Sequence, residues 1–380
     1  MNVAPARIEP LRVPRIWGVR SLDPLYDDTP PFSPLIGEVW LSGEACRFAT
    51  GPFASQTLGE AWPQMPAEWT GTRFTRGNYR VQRIPLLAKY IFPGDKLSIQ
   101  VHPDDAYAQQ HERAAGGVGK TEMWYVAAAA AKANVRVGLA PNVTRDAFNR
   151  AIENDAIENC LESIVVHAGD VIFVPAGTAH MIGPGMVLYE MQQHSDLTYR
   201  VFDYNRFGAD GKARELHLEK AMGVMHFGSY APDETVPGRV EPMTLDGGPD
   251  AERILLVACR YFAVERWHFE KSVTIETSSE QFELLTPLVG TGRIAAPSGL
   301  VSSEPARRGA PTLDPTAPHD EFTYAPGQSW FVPAALGKYS FEPAEPTTLL
   351  RAYVPNLEAL ERETAVSRAG HSARPQTTQL

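Results

Sequence analysis

Cysteine is scarce in this chain: three among 380 residues, Cys46, Cys160 and Cys259, far apart and with no Cys-x-x-Cys pair. An odd count at such spacing argues against a disulfide framework and predicts a reducing compartment. Long apolar runs are missing as well. No stretch reaches the ~18 uncharged apolar residues that would read as a membrane-crossing helix. The N-terminal MNVAPARIEPLRVPRIWG lacks the apolar core of a secretory leader. A cytoplasmic protein with no membrane partner is the expectation. Positive charge is in deficit, with 35 Lys and Arg against 45 Asp and Glu and a formal net charge of -10. Binding to a nucleic-acid backbone needs a basic surface, so no nucleic-acid partner is expected. A phosphorylated small molecule stays open, because a few local Arg and Lys residues can hold it.

Helical periodicity is sparse too. What the chain has in quantity is proline and glycine, 32 and 30 residues, scattered between short apolar runs. That is the pattern of many short strands joined by turns, and it predicts a mainly β fold with a few short helices. The best helix spans 141–161, where Val143, Phe148, Ile152, Ile157 and Leu161 share one face. Shorter helices are expected after Pro103, with Asp104 as cap, and over 213–222. The length fits two or three domains. The Pro-, Ser- and Ala-rich 295–320 reads as a surface insertion, and 357–380 as a disordered tail.

The residues that carry chemistry sit on three of the β-like runs. A strand over Leu97-Ser-Ile-Gln-Val-His102 sends Leu97, Ile99 and Val101 into a core and Ser98, Gln100 and His102 to the opposite face. A second run, 121–126, carries Glu122 with Lys120 and Trp124 on the same side. A third, Gly169-Asp-Val-Ile-Phe-Val-Pro-Ala-Gly-Thr-Ala-His180, ends in a histidine. Two imidazoles, a carboxylate and an amide oxygen form a ligand set for one divalent ion, namely Gln100, His102, Glu122 and His180. Zinc suits that set, and iron, manganese or nickel would fit the same ligand types. Singly, each residue has a blander explanation, His102 as a packed core histidine and Glu122 as a surface carboxylate. Of the ten histidines, the eight besides His102 and His180 match no ligand spacing.

The spacing sharpens this. Gly94, five residues, Gln100, one residue, His102 matches one half of the cupin double signature, with Gln where His is usual. Gly169, five residues, Pro175, one residue, Gly177, two residues, His180 matches the other. Pro184 stands where the general cupin pattern has an Asn four positions past the last histidine. With Lys120-Thr-Glu122 and Asp196-Leu-Thr-Tyr-Arg200, these motifs resemble the type I mannose-6-phosphate isomerases in their short bacterial form. The resemblance is good over roughly the first 220 residues and weak beyond.

What the resemblance implies is specific. The fold would be two cupin-like β-barrels (jelly rolls). Residues 1–220 would form N-terminal segments plus the catalytic barrel, 221–250 a connection, and 251–356 a second barrel. The internal likeness of Ala325-Pro-Gly327-Gln-Ser-Trp-Phe-Val-Pro333 to Ala168-Gly-Asp-Val-Ile-Phe-Val-Pro175 supports the second barrel, which has Lys338 at the place of His180 and is expected to be metal-free and structural. The activity implied is interconversion of mannose 6-phosphate and fructose 6-phosphate through a cis-enediol, with one zinc ion per chain. Arg200 matches the family's active-site arginine and Asp196 another pocket residue. Lys120 is a candidate for proton transfer or substrate clamping, and the choice of base between Lys120 and Asp196 stays open, with His102 eligible only if it is not taken up as a ligand. Apart from the resemblance, the expected substrate contacts are Ser98 and Trp124, which share faces with Gln100 and Glu122, and Lys96, which could help hold the phosphate. Two other readings compete. An iron dioxygenase would need oxygen for turnover, and a non-catalytic sugar-binding cupin would bind tightly without turnover.

Overall fold

A computed structural model of the chain describes residues 3–26, 31–76, 79–208, 211–230, 236–296 and 322–372. Sheet dominates, because short apolar runs bounded by turns become strands, and helix is confined to a few short segments. The chain divides into two compact units, one of Leu11–Gly43 with Pro85–Pro242, the other of Met1–Pro10, Glu44–Ile84 and Met243–Leu380. The division is not linear along the sequence, since Ala6–Glu9 pairs antiparallel with Ser329–Val332. Among the described residues no sheet closes into a barrel, and no helix is long and apolar enough to cross a membrane.

The first unit is built from two sheets. The seven-stranded sheet runs in the order 238–239, 171–174, 122–129, 186–193, 86–91, 36–40, 11–19. The five-stranded sheet runs 161–165, 134–139, 180–182, 99–101, 199–202. Trp124, Val126, Ile172 and Leu188 from the first meet Val135, Val137 and Ile182 from the second in one core, with Trp17 and Leu97 beside them. The outer face of the five-stranded sheet is covered by helices, where Ile99, Val101, Met181 and Val201 pack against Phe148, Ile157 and Ala221. The period-two alternation therefore puts Gln100, His180 and Arg200 on the inner face between the sheets. Leu97 precedes the Ile99–Val101 strand and points inward with them rather than with Ile99.

The helix expected over 141–161 is shorter, Arg145–Glu153, followed by a 3-10 turn at Ile157–Cys160. Asn142 at φ 64° and Asp155 at φ 52° interrupt it on either side, and the Thr144 side chain caps it by accepting from the Ala147 N–H at 3.2 Å. Asp104 caps Asp105–His111 through the Tyr107 N–H, 2.8 Å away. The helix expected over 213–222 begins only at Leu218 and ends at Val224.

The second unit packs an eight-stranded sheet on a four-stranded one through Trp267, Phe269, Leu285, Trp330, Ile275, Tyr339 and Phe341. Its interior holds a closed ion-pair network. Arg351 donates to Glu283 (Nε–Oε2 2.9 Å) and to Glu265 (Nη1–Oε2 3.3 Å), while Arg253 and the Tyr353 hydroxyl also bond Glu265. Lys338, in sequence the counterpart of His180, is exposed, and its neighbour Tyr339 turns inward to reach Glu283 at 2.9 Å. The tail expected to be disordered is helical over Leu357–Ser372, because Leu360 anchors it on Leu245, Leu255 and Tyr353. Residues 373–380 and all of the 295–320 insertion except 295 and 296 lie outside the described residues.

Candidate metal centre

His102, Glu122 and His180 come together from three strand ends, each 1% exposed, with one ligand atom from each lying within 4.8 Å of the others. Local backbone needs explain the glycines of the motif. A Cβ on Gly94 would stand 2.5 Å from the Gly18 carbonyl oxygen, and Gly177 sits at φ 83° while its N–H holds the His102 carbonyl at 2.8 Å. Register does the rest. Gln100 lies directly opposite His180 on one side and Arg200 on the other, and Glu122 is paired between Val174 and Gln192.

The two imidazoles are fixed from behind. His102 Nδ1 donates to the Leu197 carbonyl at 2.8 Å and His180 Nδ1 to the Thr178 carbonyl at 3.0 Å. That tautomer leaves both Nε2 lone pairs facing Glu122, at 3.6 Å from Oε2 and 3.4 Å from Oε1. His102 Nε2 has no hydrogen-bond partner. A buried polar atom without a partner is costly, and a cation would satisfy it. Ligand atoms about 2.1 Å from one ion in a tetrahedral array stand about 3.4 Å apart, so the spacing fits a single metal. Gln100 lies with its amide nitrogen 3.2 Å from His180 Nε2 and its oxygen 3.2 Å from Ser98 Oγ. A half-turn of the amide exchanges the two ends and offers an oxygen as fourth ligand. The residues present fit a divalent ion.

Burial pushes His102 well below the usual imidazole range and His180 down to about 4, with the Lys120 charge adding to both. Both rings are therefore neutral and ready to coordinate at neutral pH. A histidine whose folded pKa is depressed withholds a proton that the unfolded chain binds, so its stability contribution is lost as pH falls. In chelator-treated protein the denaturation midpoint is expected to drop between pH 6.5 and about 4. A flat profile across that window would place the two rings in solvent.

Around His102, Glu122 and His180 runs a line of alternating charge. Arg15 makes two 3.0 Å bonds to Glu38, Lys89 Nζ lies 3.0 Å from Glu190, and Lys120 Nζ lies 2.9 Å from Glu122 and 3.8 Å from Glu190. Trp124 Nε1 donates to Glu190 at 3.1 Å. Burial works against the Glu38 charge, but Lys89 and Arg15 outweigh it and hold the carboxyl at about 2. Burial likewise opposes the Lys89 charge, and Glu190 and Glu38 reverse the effect and raise its pKa. Glu190 is raised by burial and by Glu122.

These groups border a cavity of about 490 Å³, lined also by Ser98, Gln100, Asp196, Thr198, Arg200 and Arg214. Gln100 reaches the cavity, whereas His102, Glu122 and His180 are buried and do not line it. Of the expected substrate contacts, Ser98 is on the wall, but Trp124 and Lys96 are not. Trp124 is fully buried, edge-on to the His180 ring at 5.6 Å, in position to hold a ligand rather than reach a solute. Lys96 Nζ is committed to Glu158 at 2.5 Å. Lys120, Asp196 and Arg200 all face the cavity. Sequence reasoning missed Glu38, Lys89 and Glu190. Their signal was a single charge inside an otherwise apolar strand, as in Leu86-Leu-Ala-Lys89-Tyr-Ile91 and Val187-Leu-Tyr-Glu190-Met191.

Comparison with known proteins follows the same line. No family model matches the chain. It is 33% identical over 300 residues to mannose-6-phosphate isomerase ManA of Bacillus subtilis, covering 77% of this chain and 88% of the relative. It is 37% identical over 220 residues to the mannose-6-phosphate isomerase of Streptococcus mutans, covering 57% and 65%. A crystal structure of the mannose 6-phosphate isomerase from Bacillus subtilis superposes with a TM-score of 0.74 at 26% identity, over 92% of this chain and 99% of that one. A phosphomannose isomerase from Salmonella typhimurium shares the fold, with a TM-score of 0.67 at 15% identity, over 92% and 99%.

Proposed function

The chain belongs to the mannose-6-phosphate isomerases, and from that premise we propose that its cavity interconverts mannose 6-phosphate and fructose 6-phosphate through a cis-enediol. The observation that carries the reading is the pair of neutral Nε2 lone pairs converging with Glu122 beside a cavity lined by Gln100, Lys120 and Arg200. In this reading Gln100, His102, Glu122 and His180 hold one zinc ion, and each unit's pair of sheets is a cupin-like roll, the second one structural. The bound ion supplies Lewis acidity to neighbouring sugar oxygens.

The rest falls to the side chains. Arg200, half-buried, is positioned by its Nη1 bond to the Glu215 carbonyl at 2.9 Å, with a buried Nε that has no partner. A fixed guanidinium there suits the oxyanion that develops as the proton leaves C2. Lys120, anchored on Glu122, is a donor to a sugar oxygen. Asp196, an exposed carboxylate on the same wall, is the acceptor for the C2 proton.

The test is elemental analysis joined to a coupled assay on mannose 6-phosphate, before and after chelation and without oxygen. The expected result is one divalent ion per chain and turnover that disappears with the ion and does not need oxygen. Oxygen-dependent turnover, or tight binding of the sugar with none, would defeat the proposal. Arg200→Ala is expected to keep its metal while kcat/KM falls about 10²- to 10³-fold, the usual loss for one oxyanion donor. An unchanged rate would return Arg200 to a structural role.

A further inference from the structure

One stretch of the cavity wall carries more positive charge than the chain itself neutralises. Asp203, 4% exposed, is a single carboxylate shared by two guanidiniums. Arg214 bonds it twice, with Nε at 2.6 Å from Oδ2 and Nη2 on Oδ1, and Arg206 Nη2 reaches Oδ1 at 2.7 Å. Arg200 stands beside them and finds no carboxylate, since Glu215 offers it a carbonyl while its own side chain is 83% exposed. Burial lowers the Arg200 pKa and Arg214 is the next cause, ahead of the opposing pull of Asp203.

Arg206 spends its remaining donors on the Lys96 carbonyl and on Asp95 at 3.4 Å. Arg214 does not. Both of its side-chain bonds go to Asp203, its Nη1 takes no partner among the described residues, and the side chain lines the cavity. A guanidinium braced along one edge, with the other edge free in a cavity, is preorganised for a two-point contact with a tetrahedral oxyanion.

We propose that Arg214, held in place by Asp203, receives the phosphate group of the substrate, leaving Arg200 to the reacting end of the sugar. This rests on the sugar-phosphate reading above, and it replaces Lys96, whose ammonium is taken by Glu158, as the phosphate-binding cation. The phosphate keeps its charge throughout aldose–ketose exchange. A group that binds it holds ground state and transition state alike, so its loss appears in KM rather than kcat.

The experiment compares wild type, Arg214→Gln and Arg214→Lys, all zinc-loaded, by kinetics on mannose 6-phosphate and by inhibition with inorganic phosphate. Loss of one charge-assisted contact is expected to raise KM and the inhibition constant of inorganic phosphate together, by about 10- to 100-fold, with a much smaller change in kcat. Arg214→Lys is expected to recover part of the loss, because charge returns without the planar fork. It also serves if the glutamine variant fails to fold. A fall in kcat with KM and phosphate inhibition unchanged overturns the proposal and makes Arg214 a positioning residue for Arg200. If the wild type does not turn over mannose 6-phosphate, calorimetric titration with inorganic phosphate still decides. Equal affinity in wild type and Arg214→Gln overturns the subsite, and a 10- to 100-fold loss supports it while the isomerase reading falls alone.

Discussion

Replacing His180 by alanine is expected to remove the metal and the turnover in one step. His180 brings one of two imidazole lone pairs to Glu122, and its ring is neutral and fully buried. With the ring gone, Glu122 and His102 retain only the Gln100 amide as a partner for an ion, and the fourth wall becomes a cavity. The Lewis acid is worth several kcal/mol of barrier, and each 1.36 kcal/mol is a factor of ten, so kcat should fall by at least about 10³-fold. Elemental analysis should show the divalent metal falling well below one per chain in the same preparation. The fold should survive, because the strand contacts of His180 are main-chain bonds to Val137 and Gln100. A variant that kept full activity after chelation would show that the ion, if present, binds elsewhere.

The second large effect lies in the other unit. Arg351→Met should destabilise the protein by about 3–5 kcal/mol at neutral pH, because it strands a buried charge rather than removing a pair. Glu265 and Glu283 are both 0% exposed, and Arg351 bonds each of them. After substitution Glu265 keeps Arg253, whereas Glu283 keeps only the Tyr339 hydroxyl. The pH dependence has a definite sign. Burial opposes the Glu265 charge, and Arg351 and Arg253 more than offset it, holding the carboxyl at about 2 against an ordinary 4.5. A carboxylate depressed in this way stabilises the fold above its unfolded pKa and loses that contribution as pH falls towards 2. The gap in denaturant midpoint between wild type and variant should therefore be widest near neutrality and narrow in acid. An equal gap at both ends would mean that packing, not charge, carries the loss.

The sequence made the convergence of His102, Glu122 and His180 legible because strand parity is a local property. Once Gln100 and His102 share a face, the glycines and the proline ahead of His180 set the third strand's approach. The supporting charges were not legible, for a reason of register. Lys89 and Glu190 are 101 positions apart, and only the pairing of their strands places them abreast, next to Trp124. The same holds for the units, since the pairing of Ala6 with Phe331 leaves no trace in either segment alone. Trp124 was expected at the substrate because it alternates with Glu122. It does face inward, but Glu190 and His180 enclose it there. The cationic stretch around Asp203 falls in turn-rich text, where spacing carries no period to read.

The exposed Lys338 and inward Tyr339 bear on how this molecule could change over time. Lys338→His would hang an imidazole in water, since that position faces outward. Placing a nitrogen beside Glu283 would instead require changing Tyr339, and Glu283 is already bonded by the Tyr339 hydroxyl and the Arg351 guanidinium. Copying the His180 arrangement into the second unit would therefore take more than one replacement. What distinguishes the two units at this point is a one-residue offset in a single strand: His180 turns inward, and in the matching strand Tyr339 does so in place of Lys338.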